Sequence, residues 1–158
     1  MSPLNGPWEM GLRLVFFLES AFPRGFDINQ LVLADHLLTH SADMNGPASL
    51  HPSVAIREGE FGMKRATIQS AISRIASVDL IRVSAGEEGI LYAASDRAYG
   101  FVRLFASQYS VDLRSIAAWA VKEFDNESVR DSETRMKSVT RDWSKTLSPL
   151  TAPDMEHI

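Results

Sequence analysis

Residues 63–94 constrain the fold most, because one amphipathic helical pattern there runs into two short β-prone segments around a glycine-bounded turn. Ile68, Ala71, Ile72, Ile75 and Ala76 recur at i, i+3, i+4, i+7 and i+8, the spacing of one helical face. The other face carries Lys64, Arg65, Thr67, Ser70, Ser73, Arg74 and Ser77. Leu80-Ile81-Arg82-Val83 and Ile90-Leu91-Tyr92-Ala93 are apolar-rich and suit strands. Gly86-Glu87-Glu88-Gly89 between them suits a hairpin turn of about four residues. A helix over 64–78 followed by such a wing is the second half of a winged helix-turn-helix.

The preceding chain supplies the first half. Asn5-Gly6-Pro7 reads as a helix start, since proline near the first helical position sacrifices no hydrogen bond. The helix over 8–21 is apolar on nearly every side, through Leu12, Leu14, Val15, Phe16, Phe17 and Leu18. Such a helix is central, or faces a partner as well as its own core. Pro23-Arg24-Gly25 breaks it, and Asp27 with Gln30 forms a capping box for a helix from Ile28 to about Thr39. The fold class expected is mainly α with a small β-hairpin wing (α+β), a winged helix with extra C-terminal helices.

The anomaly is the connector, residues 40–62. A plain helix-turn-helix joins its last two helices with a few residues, whereas here about twenty intervene with turn residues and no helical period. Leu50, Val54, Ile56 and Phe61 can anchor it, and two prolines stiffen it, so an ordered, functional loop is expected. After the wing, Ser95 or Asp96 can cap a helix to about Ser107, and Asp112 another with the stripe Leu113, Ile116, Ala117, Ala120 and Phe124, leaving Trp119 off that stripe. Residues 1–124 thus form the domain. Residues 125–147 are charged except for a thin seam of Val129, Met136, Val139, Trp143 and Leu147, and 148–158 read as a flexible tail. A helix with so thin a seam gains stability by docking, on a partner through Trp143 or back on its own domain.

Charge narrows the function. The net charge is −4 and the pI near 5.5, whereas a protein that grips duplex DNA by itself usually carries a basic excess. Lys64, Arg65 and Arg74 can meet phosphates while Thr67, Gln69, Ser70 and Ser73 face a major groove, but Glu87 and Glu88 at the wing tip would repel the backbone. The bland reading is a solvated face. The absence of cysteine excludes disulfides and thiolate chemistry and suits a reducing cytoplasm; no secretory signal or membrane span is evident.

His36 and His40, four apart, can place two imidazoles on one metal, with Asp43 and His51 following. The competing reading, which is favoured, has His40, Ser41 and Asp43 ending the helix and bonding the loop backbone. No serine sits in a Gly-x-Ser-x-Gly elbow, and Gly59-Glu60-Phe61-Gly62 places an acid where a phosphate needs donors. The expectation is no enzyme, no metal and no cofactor.

The connector motifs carry a family resemblance. Phe22-Pro23-Arg24-Gly25-Phe26-Asp27, Leu38-Thr39-His40-Ser41-Ala42-Asp43, Gly46-Pro47-Ala48-Ser49-Leu50-His51-Pro52 and Arg57-Glu58-Gly59-Glu60-Phe61-Gly62 resemble the middle component, second type, of bacterial ABC three-component systems. The resemblance covers roughly residues 12–119. Ala42 departs from the family's usual Ser-Gly-Asp. It implies a small subunit working with an SMC- or Rad50-like ATPase and a separate effector, often a nuclease, in Lamassu-like defence against phage or plasmids. In that setting the chain holds no catalytic residues. Trp8, His40, Asp43, His51, Arg57, Glu60, Trp119, Val129, Met136, Val139 and Trp143 are then the partner-binding set, and Lys64, Arg65, Ser70 and Arg74 only assist on DNA. The alternative function is a winged helix transcriptional regulator.

Overall fold

The computed structural model describes residues 6–51 and 58–125, with side chains from Lys64 onward in the second stretch. The elements are α1 (Pro7–Ala21), α2 (Ile28–Thr39), a 3-10 turn (Ser41–Met44), α3 (Glu58–Ser77), β1 (Ile81–Gly86), β2 (Gly89–Ala94), α4 (Ala98–Val102) and α5 (Gln108–Glu123). It is a mainly helical α+β arrangement with one antiparallel hairpin, as expected.

The first helix is central. α1 packs against α2, α3, α4, α5 and β2, which accounts for its apolar residues on every side. Its Phe17 ring meets Phe26 and Phe124 at centroid distances of 4.8 and 5.5 Å, tying the start of α2 and the end of α5 to one core. Gly11 lets α3 approach closely: a Cβ there would stand 2.7 Å from Ile75 Cγ1.

The capping box forms in full, with Gln30 N–H donating to Asp27 Oδ1 at 2.8 Å and Asp27 N–H donating to Gln30 Oε1 at 2.9 Å. α3 begins at Glu58, six residues before the expected Lys64. Gly59 and Gly62 read as loop because each costs a helix about 1 kcal/mol, but Glu58 and Glu60 lie where the helix dipole favours acids. The helix closes in a Schellman arrangement, Leu80 N–H to Ile75 O and Asp79 N–H to Ala76 O, with Asp79 at φ 60°. Of its predicted stripe, Ile68, Ala71, Ile72 and Ile75 are buried and Ala76 is partly buried.

In the hairpin, Gly86 pairs with Gly89, so the expected four-residue turn forms with Glu87 and Glu88 at its two central positions. A further backbone pair, Phe26 with Tyr92, ties the segment before α2 to β2. Two downstream expectations change. α4 stops at Val102 instead of running to about Ser107, because Leu104 and Phe105 close back on Phe101 and Val102 and the chain then turns. α5 is capped by the Ser107 hydroxyl, which accepts from Ser110 N–H, and so starts before Asp112. The stripe on α5 is buried as expected.

No helix among the described residues is long and apolar enough to cross a membrane.

Candidate functional site

The first half of the connector, residues 40–51, is an ordered loop closed on itself. His51 N–H donates to Thr39 O at 3.1 Å, so the chain returns to the end of α2. Within the loop the Ser41 hydroxyl donates to Pro47 O at 2.8 Å, Ala42 N–H to Ser49 Oγ at 3.0 Å and Gly46 N–H to Ser41 O at 2.9 Å. Asn45, at φ 61°, ends the 3-10 turn in the left-handed region that asparagine tolerates. Ser41 thus bonds the loop backbone as the helix-ending reading expects, while Asp43 is exposed and contributes its N–H to His40 O.

The loop seats on α5. Gly46 lies against Trp119, whose ring atoms would crowd any Cβ there. Only glycine allows that approach. His51 Nε2 shares a 3.1 Å hydrogen bond with the Tyr109 hydroxyl.

Beneath this contact lies a buried charge network. Arg13 of α1 and Asp35 of α2 are 2% and 1% exposed, and Arg13 Nε donates to Asp35 Oδ1 at 2.8 Å, with Nη2 to Oδ2 at 3.4 Å. Lys64 Nζ of α3 stands 3.0 Å from Asp35 Oδ2. One carboxylate therefore joins three helices. Burial alone would push the Asp35 carboxyl up, yet Lys64 and Arg13 hold it well below the usual carboxylate range. Burial likewise disfavours the Arg13 cation, and Asp35 and Tyr109 more than reverse it. The Tyr109 hydroxyl helps to hold the Arg13 cation, and its bond with His51 Nε2 links the network to the loop.

The histidines are held neutral. Burial, with Lys64 and His40 beside it, lowers His36 to about 4. Burial, then Lys64, lowers His40; burial, then Arg13, lowers His51. The Nδ1 atoms of His36 and His40 are buried without a hydrogen-bond partner among the described residues. Their rings lie 5.2 Å apart, but Asp35 is occupied by Arg13 and Lys64, and no group of three or more His, Asp or Glu among the described residues can hold a metal ion.

The sequence-predicted residues separate into groups. His40, His51 and Trp119 converge on the connector. Trp8 is distant, 49% exposed, with the Arg74 guanidinium 5.6 Å over its ring. Lys64 departs from the expected DNA-facing set: its amine turns inward to Asp35 because a buried carboxylate outcompetes solvent for it. Ser70 and Arg74 are exposed and Arg65 half-buried. Arg57, the Glu60 side chain, Val129, Met136, Val139 and Trp143 lie outside the described residues.

Sequence reading missed Arg13, Asp35 and Tyr109. The signal was present for two of them: Arg13 stands mid-way along the nearly all-apolar first helix and Asp35 is the single Asp, Glu, Lys or Arg of α2, and opposite buried charges must pair.

The family model for the ABC-three component (ABC-3C) system Middle Component 2 matches residues 3–146. The chain belongs to that family. The match runs beyond the 12–119 expected and takes in residues 125–146, Trp143 among them. No curated protein and no solved structure matches the chain significantly.

Proposed function

We propose that this Middle Component 2 chain is a non-catalytic adaptor that joins an SMC- or Rad50-like ATPase to an effector such as a nuclease, in Lamassu-like defence against phage or plasmids. The observation that carries this reading is the connector. Inside the stretch that the family model matches, residues 40–51 form a loop held by its own hydrogen bonds and by His51 on Tyr109, while outer residues such as Asp43 stay exposed. Such a rigid surface suits binding, because little ordering is left to do on contact. A winged helix topology underlies it, supported by the order of α1, α2, α3 and hairpin and by the Phe26–Tyr92 pair.

The cytoplasm is the matching compartment, and the ATPase supplies most of the DNA affinity. A transcriptional regulator is the weaker reading: Lys64 is engaged by Asp35, Arg74 lies over Trp8, and the wing tip presents Glu87 and Glu88.

Co-expression with the products of neighbouring genes tests the adaptor. The chain should co-purify with the ATPase, while alone it binds duplex DNA weakly at physiological salt. Nanomolar binding to one DNA sequence by the isolated chain would overturn the adaptor in favour of the regulator. Trp143→Ala should weaken the complex and leave the isolated domain's Tm nearly unchanged.

A further inference from the structure

A second surface lies at the C-terminal end of α3. Between the start of α1, the end of α3 and α4 is a groove of about 460 Å³. Leu12, Ile75 and Leu80 form its floor. Trp8, Val78 and Leu104 stand around it 49%, 47% and 78% exposed. Exposed apolar residues scattered singly need no explanation, but three bulky ones around one cleft mark a contact surface.

Arg97 is the charged residue of the lining, and Arg74 stands at its edge beside Trp8. Arg74 rests over Trp8 and forms no ion pair among the described residues. Arg97 reaches Asp79 only at 3.7 Å, with both side chains largely exposed, a pair that solvent weakens. The Glu9 carboxylate folds back toward Gly6.

We infer that this groove docks an amphipathic helix of another component of the three-component system, its apolar residues entering between Trp8 and Leu104 and its acidic side chains meeting Arg74 and Arg97. The inference rests on the adaptor reading and names the face that reading leaves open. Charge selects the occupant. Residues 126–147 of the chain itself carry five Lys and Arg against four Asp and Glu, so they bring no surplus of acids to the two arginines. A nucleic acid would find donors only at the rim, above an apolar floor that offers a phosphate nothing.

The test uses the full chain co-purified with the components encoded beside it. Leu104→Arg and the double change Arg74→Glu with Arg97→Glu alter exposed side chains, so each should keep the wild-type Tm while weakening assembly by about tenfold or more. Acid-to-lysine changes in the partner helix should restore binding to the double variant. A photo-crosslinking residue at position 104 should join a partner segment in which Asp or Glu flank apolar residues. Undiminished assembly by both variants overturns the proposal. So does a crosslink to residues 126–147 or to a second copy of the chain. If the wild-type chain itself fails to co-purify, the adaptor reading fails and the groove proposal falls with it, an outcome distinct from wild-type assembly that ignores the groove changes.

Discussion

Two ion pairs in this molecule have opposite value despite similar lengths. In the wing, Arg82 Nη2 meets Asp96 Oδ2 at 2.6 Å, with the side chains 64% and 73% exposed. Under the connector, Arg13 Nε meets Asp35 Oδ1 at 2.8 Å with both almost fully buried. The shorter pair is the weaker, because water solvates its partners equally well when they part, and such pairs give about 0–1 kcal/mol. The buried pair is no great source of net stability either, since desolvation offsets its attraction. What it supplies is intolerance: remove one partner and the others are left charged in a dry place. The connector end is therefore rigid and easily broken, and the wing end solvated and forgiving.

That contrast breaks most sharply at Asp35. Asp35→Ala strands Arg13 and Lys64 and should cost about 3–5 kcal/mol in urea denaturation, against less than about 1 kcal/mol for Asp96→Ala. Equal losses would mean that the network is hydrated.

Next in size is Gly46→Ala, whose methyl group must displace Trp119 or the loop and should cost about 1–3 kcal/mol. Amide exchange should speed at Gly46 and His51 while the α1 amides stay protected. Trp119→Leu in the same chain should relieve the defect.

Acid provides a milder probe. His36 binds its proton less readily folded than unfolded, so protonation favours the unfolded chain. Its contribution is complete above pH 6.5 and fades as pH falls toward about 4, with His40 and His51 acting in the same direction. Replacing His36 with glutamine should flatten the stability profile across that window; an unchanged slope would assign it elsewhere.

The smallest effect belongs to the wing tip. Changing Glu87 and Glu88 to lysine should shift stability by less than about 0.5 kcal/mol, since both are exposed. Non-specific DNA retention at low salt should rise modestly. A large stability change would show that the wing is less independent than it looks.

Local chemistry was legible where one signal sufficed. The Asp27–Gln30 box, the α3 stripe and the glycine-bounded hairpin each follow from short-range rules, and each is found. The α4–α5 junction was not, because Ser107 lies in a polar run where several residues could cap a helix. The charge network was hidden for a different reason. Arg13, Asp35, Lys64 and Tyr109 are far apart in sequence, and reading Lys64 from its own helix placed it with the polar face. Only the crossing of α1, α2 and α3 shows that its four-carbon stem reaches a buried acid.

The tie between Lys64 and Asp35 also indexes α3. A helix held only by an apolar stripe can roll a little about its axis, since one aliphatic contact substitutes for another. A roll by a single residue, about 100°, would carry the amine away from a carboxylate that has no water to turn to. α3 thus behaves as a keyed shaft about 30 Å long, with the connector at one end and the Trp8–Val78 groove at the other. A partner that turned one end would have to turn both.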